Sequence, residues 1–390
     1  MTEKSPTTHR RVVLRNDDDT KNQHDAPRKT LQSLLHQNCP IIVFSGAGIS
    51  VSAGLPTFTG NLYTRAAKQF HLPDGSQVFR YRFLERRPKD YLAFFAGTLY
   101  KTIAKITSPT PSHYALHAME QAGQLIRHYT LNVDGLASLC GMSIWKGSDK
   151  DDDDDNNINS DMNNQSNPTD AISNTQPSIL SDSSCGKTVE LHGNIHELVC
   201  RTCGSVYHMT PCLAKAAANG SFLKCTAVDC HGDLRFRVLL YGDQEGHLIH
   251  PPKRGDPWVK LLPHDLVACR AILWVGISFR QRASCQYFET VYQMRNAKGL
   301  EDKVPIFIID PHPDKVLENL MDGLQMDIES DSYNVFTIES TSDAFFGEFC
   351  ADDSKDSTQP TRGNTTRGSI QILTRDSIQI PTRGSIPTQD

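Results

Sequence analysis

The sequence predicts an α/β fold, a parallel sheet with helices on both faces, and three observations carry that reading. Apolar runs of strand length with β-branched content recur at Ile41 to Phe44, Leu125 to Thr130, Ala271 to Val275 and Pro305 to Ile309. Between them lie stretches with helical spacing. Ser112 to Ala122, for example, sets Ala115, Leu116, Met119 and Ala122 on one face, with Ser112 as the expected cap. Strands that alternate with helices form a parallel sheet covered on both sides. The third observation is that the first apolar run breaks directly into Ser45-Gly46-Ala47-Gly48-Ile49-Ser50. At a strand-to-helix turn of such a sheet, glycine lets the backbone approach a pyrophosphate, and the amides opening the next helix face its charge. A glycine pair after a strand also marks an ordinary tight turn, so the segment alone does not decide between them.

Composition restricts how much of the 390 residues folds. Residues 1–30 are expected to form a disordered N-terminal tail. Residues 148–184 hold nine Asp and one Lys, with no Arg or Glu, among many Asn and Ser. This acidic insertion cannot bury enough apolar surface to order itself, and it divides the expected folded domain into 31–147 and 185–350. It carries a charge of −8 against −5 for the whole chain, which leaves the remainder at +3. The insertion is either a solvated excursion or a contact for a basic partner. From residue 351 to 390 an eight-residue unit repeats (Thr366-Arg367-Gly368-Ser369-Ile370, Thr374-Arg375-Asp376-Ser377-Ile378, Thr382-Arg383-Gly384-Ser385-Ile386). Such polar units are too short to stack as a solenoid and predict a disordered tail. No apolar run reaches the length of a membrane span, and the N-terminus lacks the apolar centre of a secretory signal. The expectation is an intracellular chain that is not secreted and has no membrane partner and no direct nucleic-acid motif.

The eleven cysteines of a non-secreted chain point to metal more than to disulfides. Cys200-Arg201-Thr202-Cys203 and Cys225-Thr226-Ala227-Val228-Asp229-Cys230 fit a zinc ribbon over 197–234, four thiolates closing a tetrahedral structural site. The second pair is wider than the usual spacing, so Cys212 is an alternative ligand. One Zn²⁺ would contribute folding free energy to a module too small to hold its shape by burial.

Taken in order, the glycine segment, Tyr129-Thr130-Leu131-Asn132-Val133-Asp134-Gly135-Leu136, Glu190-Leu191-His192-Gly193 and the cysteine quartet resemble the sirtuin family of NAD-dependent protein-lysine deacylases. The resemblance extends from about Leu31 to about Phe349. The phrases Pro109 to His113, Leu125 to Thr130 and Val238 to Gly242 look most like the fungal nuclear histone-deacetylase branch. It implies a Rossmann-like fold, NAD as cofactor, and an acetylated lysine in a protein, a histone in chromatin, as partner, with a nuclear location and a role in gene silencing.

Residue by residue, the resemblance gives His192 the part of general base on a ribose hydroxyl, a task suited to an imidazole whose pKa lies near operating pH. The acetyl-lysine carbonyl oxygen would attack the anomeric carbon as nicotinamide leaves. The deprotonated hydroxyl would then attack the resulting imidate, and water would complete release of lysine and acetylated ADP-ribose. Asn132 matches the family's ribose and water contact, and Asp134 its nicotinamide-pocket carboxylate. Phe58 matches an aromatic that shields the reacting face. Gly46, Ala47, Gly48 and Ser50 match the phosphate loop, Gly276 and Ser278 follow the Trp274-Val275 strand end, and Asp310 would accept from a ribose hydroxyl. Val238, Leu239, Tyr241 and Gly242 would pair with an extended peptide by strand addition.

Outside that resemblance, Asn-x-Asp-Gly reads as a turn and a lone histidine as a satisfied structural residue. The chain also departs from the family: Thr57 and Thr59 replace an acid and an arginine, Leu131 a glutamine, and Ile277 a threonine. Each lost polar contact removes about 1.5–3 kcal/mol. Two functions from different classes follow, an NAD-dependent deacetylase and a catalytically silent chromatin adaptor that binds acetylated peptides.

Overall fold

The computed structural model describes residues 17–55, 61–146, 186–250, 260–324 and 334–352. In chain order its strands are β1 (Ile41–Ser45), β2 (Leu125–Thr130), β3 (Thr188–Glu190), β4 (Gly193–Cys200), β5 (Val206–His208), β6 (Leu234–Val238), β7 (Ala271–Val275), β8 (Ile306–Asp310) and β9 (Val335–Glu339). Six of them form a parallel sheet in the order β3-β2-β1-β7-β8-β9. The chain builds outward from β1 on one side and then from β7 on the other. The order therefore reverses between β1 and β7, and in open α/β sheets the crevice beyond that reversal receives the ligand.

Both faces of the sheet are buried, as near-continuous apolar strands require. Ile42, Phe44, Ile272, Trp274, Ile306 and Ile308 enter the core on one face. Their neighbours Ile41, Val43, Leu273, Val275, Phe307 and Ile309 enter the core on the other. Phe44 on the central strand stacks on Trp274 at 4.2 Å and on Tyr129 at 4.9 Å, joining three adjacent strands through offset aromatic contact.

A second body is built from the helices Asn61–Phe70 through Lys101–Ile103 and the antiparallel sheet β5-β4-β6. Its core joins Phe70, Tyr91, Phe94 and Phe95 of the helices to Phe236 and Leu198 of the sheet, and includes Cys200, Cys225 and Cys230. The three short strands cannot enclose a core alone, so the aromatic helices supply it. The cavity described below lies between this body and the parallel sheet.

Several expectations change. The Pro111–Gln121 helix is capped by Thr110, whose side chain accepts from the His113 amide. Ser112 instead donates its backbone amide to Asp343 at 2.9 Å. Ala115, Leu116 and Met119 are buried but Ala122, at the cap, is exposed. A helix over Asp17–His36 begins where a tail to residue 30 was expected, and Arg28 on it pairs with Glu348 at 2.6 Å. β9, an apolar and β-branched run that was not among the predicted strands, closes one edge of the sheet. Residues 148–184, the repeats and Phe58 with Thr57 and Thr59 lie outside the described residues.

Candidate functional site

The turns after β1 and β7 meet at the sheet's switch point, and each shapes the other. Gly46 N–H donates to Val275 O at 3.0 Å, and Gly48 N–H to Gly276 O at 2.9 Å. A Cβ on Gly46 would lie 2.8 Å from the Gly276 carbonyl oxygen, and Gly276 itself has φ +63°. These glycines are therefore required first for close packing of two backbones. The amides of Gly46 and Gly48 point into the neighbouring turn. The segment that follows, Ala47–Ala53, is a 3₁₀ helix.

Above these turns opens a cavity of about 770 Å³. Gly46, Ala47, Gly48, Asn132, His192, Val238, Leu239, Tyr241, Gly242, Gly276, Ser278 and Asp310 all line it, together with Leu131 and Ile277. The parallel sheet supplies the first of these from strand ends, and β6 with its following turn supplies Val238 to Gly242. Ser50 and Asp134 lie beneath the lining. Ser50 Oγ donates to Asp134 Oδ2 at 2.7 Å, and Asp134 Oδ1 accepts from Leu136 N–H at 2.9 Å. The Asn132 amide donates to Gly46 O at 3.0 Å and to Ser50 Oγ at 3.2 Å, tying the β2 loop to the β1 turn. The Asn-Val-Asp-Gly turn and the buried hydrogen-bond network are thus one object.

His192 follows β3, and its backbone carbonyl accepts from Leu239 N–H at 2.9 Å, so the histidine and the opposite wall are joined directly. Gly193 turns the chain into β4 with φ +80°, where a Cβ would strike the Arg237 carbonyl oxygen at 2.1 Å. Burial pushes the His192 imidazole down to about 4, against a smaller opposing pull from the Leu131 backbone. The ring is therefore neutral at neutral pH, the state a proton acceptor needs, but weaker as a base than an ordinary histidine. Burial raises the Asp310 carboxyl above its ordinary value, while the His312 amide, donating at 2.9 Å, limits the shift.

Sequence reasoning missed several neighbours. Tyr287 lies 5.7 Å from the His192 ring between centroids, Gln281 accepts from the Tyr241 hydroxyl at 3.2 Å, and Phe279 holds φ +51° in the turn after β7. Asn319 Nδ2–H donates to Ser278 O at 2.9 Å and Cys285 Sγ–H to Phe279 O at 3.1 Å, fixing that turn from two helices. Helical periodicity shows only which face of Arg282–Ala297 is apolar, and nothing local marks Tyr287 as a cavity residue. The peptide wall also has fewer free backbone groups than simple strand addition needs. Tyr241 N–H already donates to Phe79 O at 2.8 Å and its carbonyl accepts from Tyr81 N–H at 3.0 Å.

The four sulfurs of Cys200, Cys203, Cys225 and Cys230 lie within 4.8 Å of one another, and Cys212 is not among them. Cys200 and Cys230 are 3.7 Å apart, Cys203 and Cys225 3.6 Å. Zn–S bonds of about 2.3 Å in a tetrahedron put sulfurs roughly 3.8 Å apart, so this set could hold one Zn²⁺ with no position left for chemistry. Tyr207 supports it: its hydroxyl oxygen accepts from Thr226 N–H at 3.2 Å and Ala227 N–H at 3.1 Å, leaving its proton for Cys225 Sγ at 3.0 Å.

A model of the Sir2 family matches residues 46–146, a stretch that contains the β1 turn, β2 and the Asn132 loop. Among curated relatives, the NAD-dependent histone deacetylase sirtuin-1 of Drosophila melanogaster is 36% identical over 113 residues, which are 28% of this chain and 13% of that protein. The NAD-dependent protein deacetylase sir-2.1 of Caenorhabditis briggsae is 24% identical over 217 residues, 54% of this chain and 27% of its own length. The chain thus matches under a third of the length of these relatives. A solved Sir2 structure with a p53 peptide and NAD+ superposes with a TM-score of 0.52 at 15% identity, covering 84% of this chain and 99% of that one. Sir2Tm bound to a propionylated peptide gives 0.51 at 15% identity, covering 84% and 98%. At such identity the likeness establishes the Rossmann-like fold, and the family match and the relatives' names support placement with the sirtuins.

Proposed function

We propose that this chain is a sirtuin-type NAD-dependent protein-lysine deacetylase that acts on acetylated histone lysines in the nucleus. The observation that carries the reading is the meeting of His192, Asn132, the two glycine turns and the Val238 to Gly242 wall around one cavity at the switch point of the sheet. The donor set fits a dinucleotide. The glycines of the turns after β1 and β7 leave room beside the backbone, Ser278 adds a hydroxyl, and Asp310, ending β8, is an acceptor for ribose hydroxyls.

When bound, NAD supplies the electrophilic ribose carbon and the nicotinamide leaving group. The chain supplies the surroundings. Leu131, Ile277 and Phe279 make part of the cavity lining apolar, where developing charge is sensitive to nearby dipoles. Neutral His192 takes a proton at a ring nitrogen. Asn132, locked by Gly46 O and Ser50 Oγ, presents the rest of its amide in a fixed orientation. Asp134 orders the loop through Ser50 and the Leu136 amide, and ligand contact by this side chain would require those bonds to be exchanged.

A second reading, a silent adaptor that binds acetylated peptides in chromatin, draws on a specific observation. Leu131 and Ile277 stand among the lining residues where the family has polar ones, and the Gly46 and Gly48 amides are already committed. Release of nicotinamide from NAD in the presence of an acetylated histone peptide separates the two. Peptide-dependent release that disappears in His192→Ala supports the deacetylase. A folded chain that binds the peptide without release supports the adaptor, with longer acyl groups as the next substrates.

A further inference from the structure

The wall formed by Val238 to Gly242 is held from behind by a buried ionic clamp that never reaches the cavity. Arg235 on β6 has no solvent exposure. Its guanidinium forks onto Asp243, with Nη1 at 2.9 Å from Oδ1 and Nη2 at 2.7 Å from Oδ2. It also donates to Val238 O at 2.8 Å and to Glu245 Oε2 at 3.2 Å. Asp243 in turn accepts the Leu240 amide at 3.0 Å and the Glu245 amide at 2.9 Å. One carboxylate therefore closes the turn, and one arginine fixes that carboxylate to the strand from which the wall departs.

The clamp is anchored at the cysteine cluster. Arg201, the residue after Cys200, pairs with Glu245 at 2.7 Å and donates to the Tyr81 hydroxyl at 3.3 Å. Tyr81 N–H holds the Tyr241 carbonyl, so the same residue touches both ends of the path. Burying a full positive charge costs more than a short strand needs for stability, and well-packed apolar residues would serve it as well. What the buried fork adds is a single geometry, since bidentate Arg–carboxylate pairs are directional.

We propose that Arg235, Asp243, Glu245 and Arg201 are positioning residues that set the acyl-peptide wall, linking its geometry to the cysteine knuckle. This rests on the deacetylase reading for its substrate, but none of the four touches the cavity, so they act on peptide affinity and not on the reacting atoms. Arg201→Gln leaves the Arg235–Asp243 fork intact and is the first variant; Asp243→Asn, which weakens the fork itself, is the second. The test measures steady-state nicotinamide release with both substrates varied, anisotropy of a labelled acetylated peptide, and zinc per chain.

The expected result for Arg201→Gln is a peptide KM and peptide Kd raised about tenfold, the equivalent of one partly buried ion pair. kcat, the KM for NAD and zinc content stay at wild-type values. Asp243→Asn gives a larger change of the same kind. Peptide Kd within twofold of wild type in both folded variants overturns the proposal, as does a fall in kcat matched by a rise in the KM for NAD. Failure of the deacetylase reading is distinct, because it shows as absent nicotinamide release by the wild type while anisotropy still reports the wall. A wild type that binds no acetylated peptide overturns the clamp's assignment to that ligand.

Discussion

Gly48 and Gly276 approach so closely that a Cβ built on Gly48 would lie 2.5 Å from the Gly276 Cα, and one built on Gly276 would lie 2.7 Å from the Gly48 Cα. The two turns that floor the cavity are therefore packed backbone against backbone, with no flexible side chain between them to give way. Gly48→Ala must push them apart. Overpacking of this kind costs about 1–3 kcal/mol. The expected outcome is a lower Tm together with loss of NAD-dependent nicotinamide release, read by thermal unfolding and by the release assay. An unchanged Tm would show that the turns separate freely.

The Tyr207 hydroxyl is placed to donate to Cys225 Sγ while accepting two backbone amides. Tyr207→Phe removes that donor and strands both amides. Partners of metal ligands typically contribute about 10–100-fold in affinity, so competition with a chelator should show zinc held that much more weakly. Cys212→Ser, outside the cluster, should leave zinc content at one per chain, and any loss of zinc would reopen its candidacy as a ligand.

His192 sets a pH expectation. Burial holds its folded pKa near 4, below the ordinary 6.5. Stability linked to this group is therefore complete above 6.5 and is lost as pH falls through the folded value. In kcat/KM the base form persists to the same depth, so the acid limb attributable to His192 should fall near 4 and not near 6.5. A profile of nicotinamide release against pH, with stability recorded in parallel, checks it. A limb at 6.5 would mean that the histidine is more hydrated than its surroundings imply.

Glu190, at the end of β3, behaves in the opposite sense. Burial, and then the Glu197 charge, push its carboxyl up to about 8, although Asn194 donates to it at 2.8 Å. A folded pKa raised above the ordinary 4.5 means stability fully present below 4.5 and lost as pH rises through about 8. Glu190→Gln keeps an acceptor for Asn194 without the charge. It should stabilise the chain at pH 8.5 by on the order of a few kcal/mol and much less at pH 5.5, measured as the difference in Tm. Equal gains at both pH values would remove the ionisation argument.

Much of the arrangement was legible along the chain because it depends on neighbours in sequence. Strand runs such as Ala271 to Val275 carry their own apolar content, and two close cysteine pairs carry their own chemistry. The choice of Cys225 and Cys230 over Cys212 was also within reach, since a wide pair still closes around one centre. The helix cap was misassigned because the partner of Ser112 is Asp343, 231 residues away, and no local pattern encodes it.

Consecutive residues suffice to set the alternation of strands and helices, the cysteine quartet and the identity of the groups at each strand end. Periodicity and spacing express short-range sterics, and those are written in consecutive residues. Long-range packing is what spends the Gly46 and Gly48 amides on the β7 turn and lowers the basicity of His192. It likewise decided that Tyr241 is already paired on both sides and that Arg235 is buried behind the wall. Burial, desolvation and hydrogen-bond competition depend on which distant segments come together, and that is fixed when the two bodies close on the switch point of the sheet.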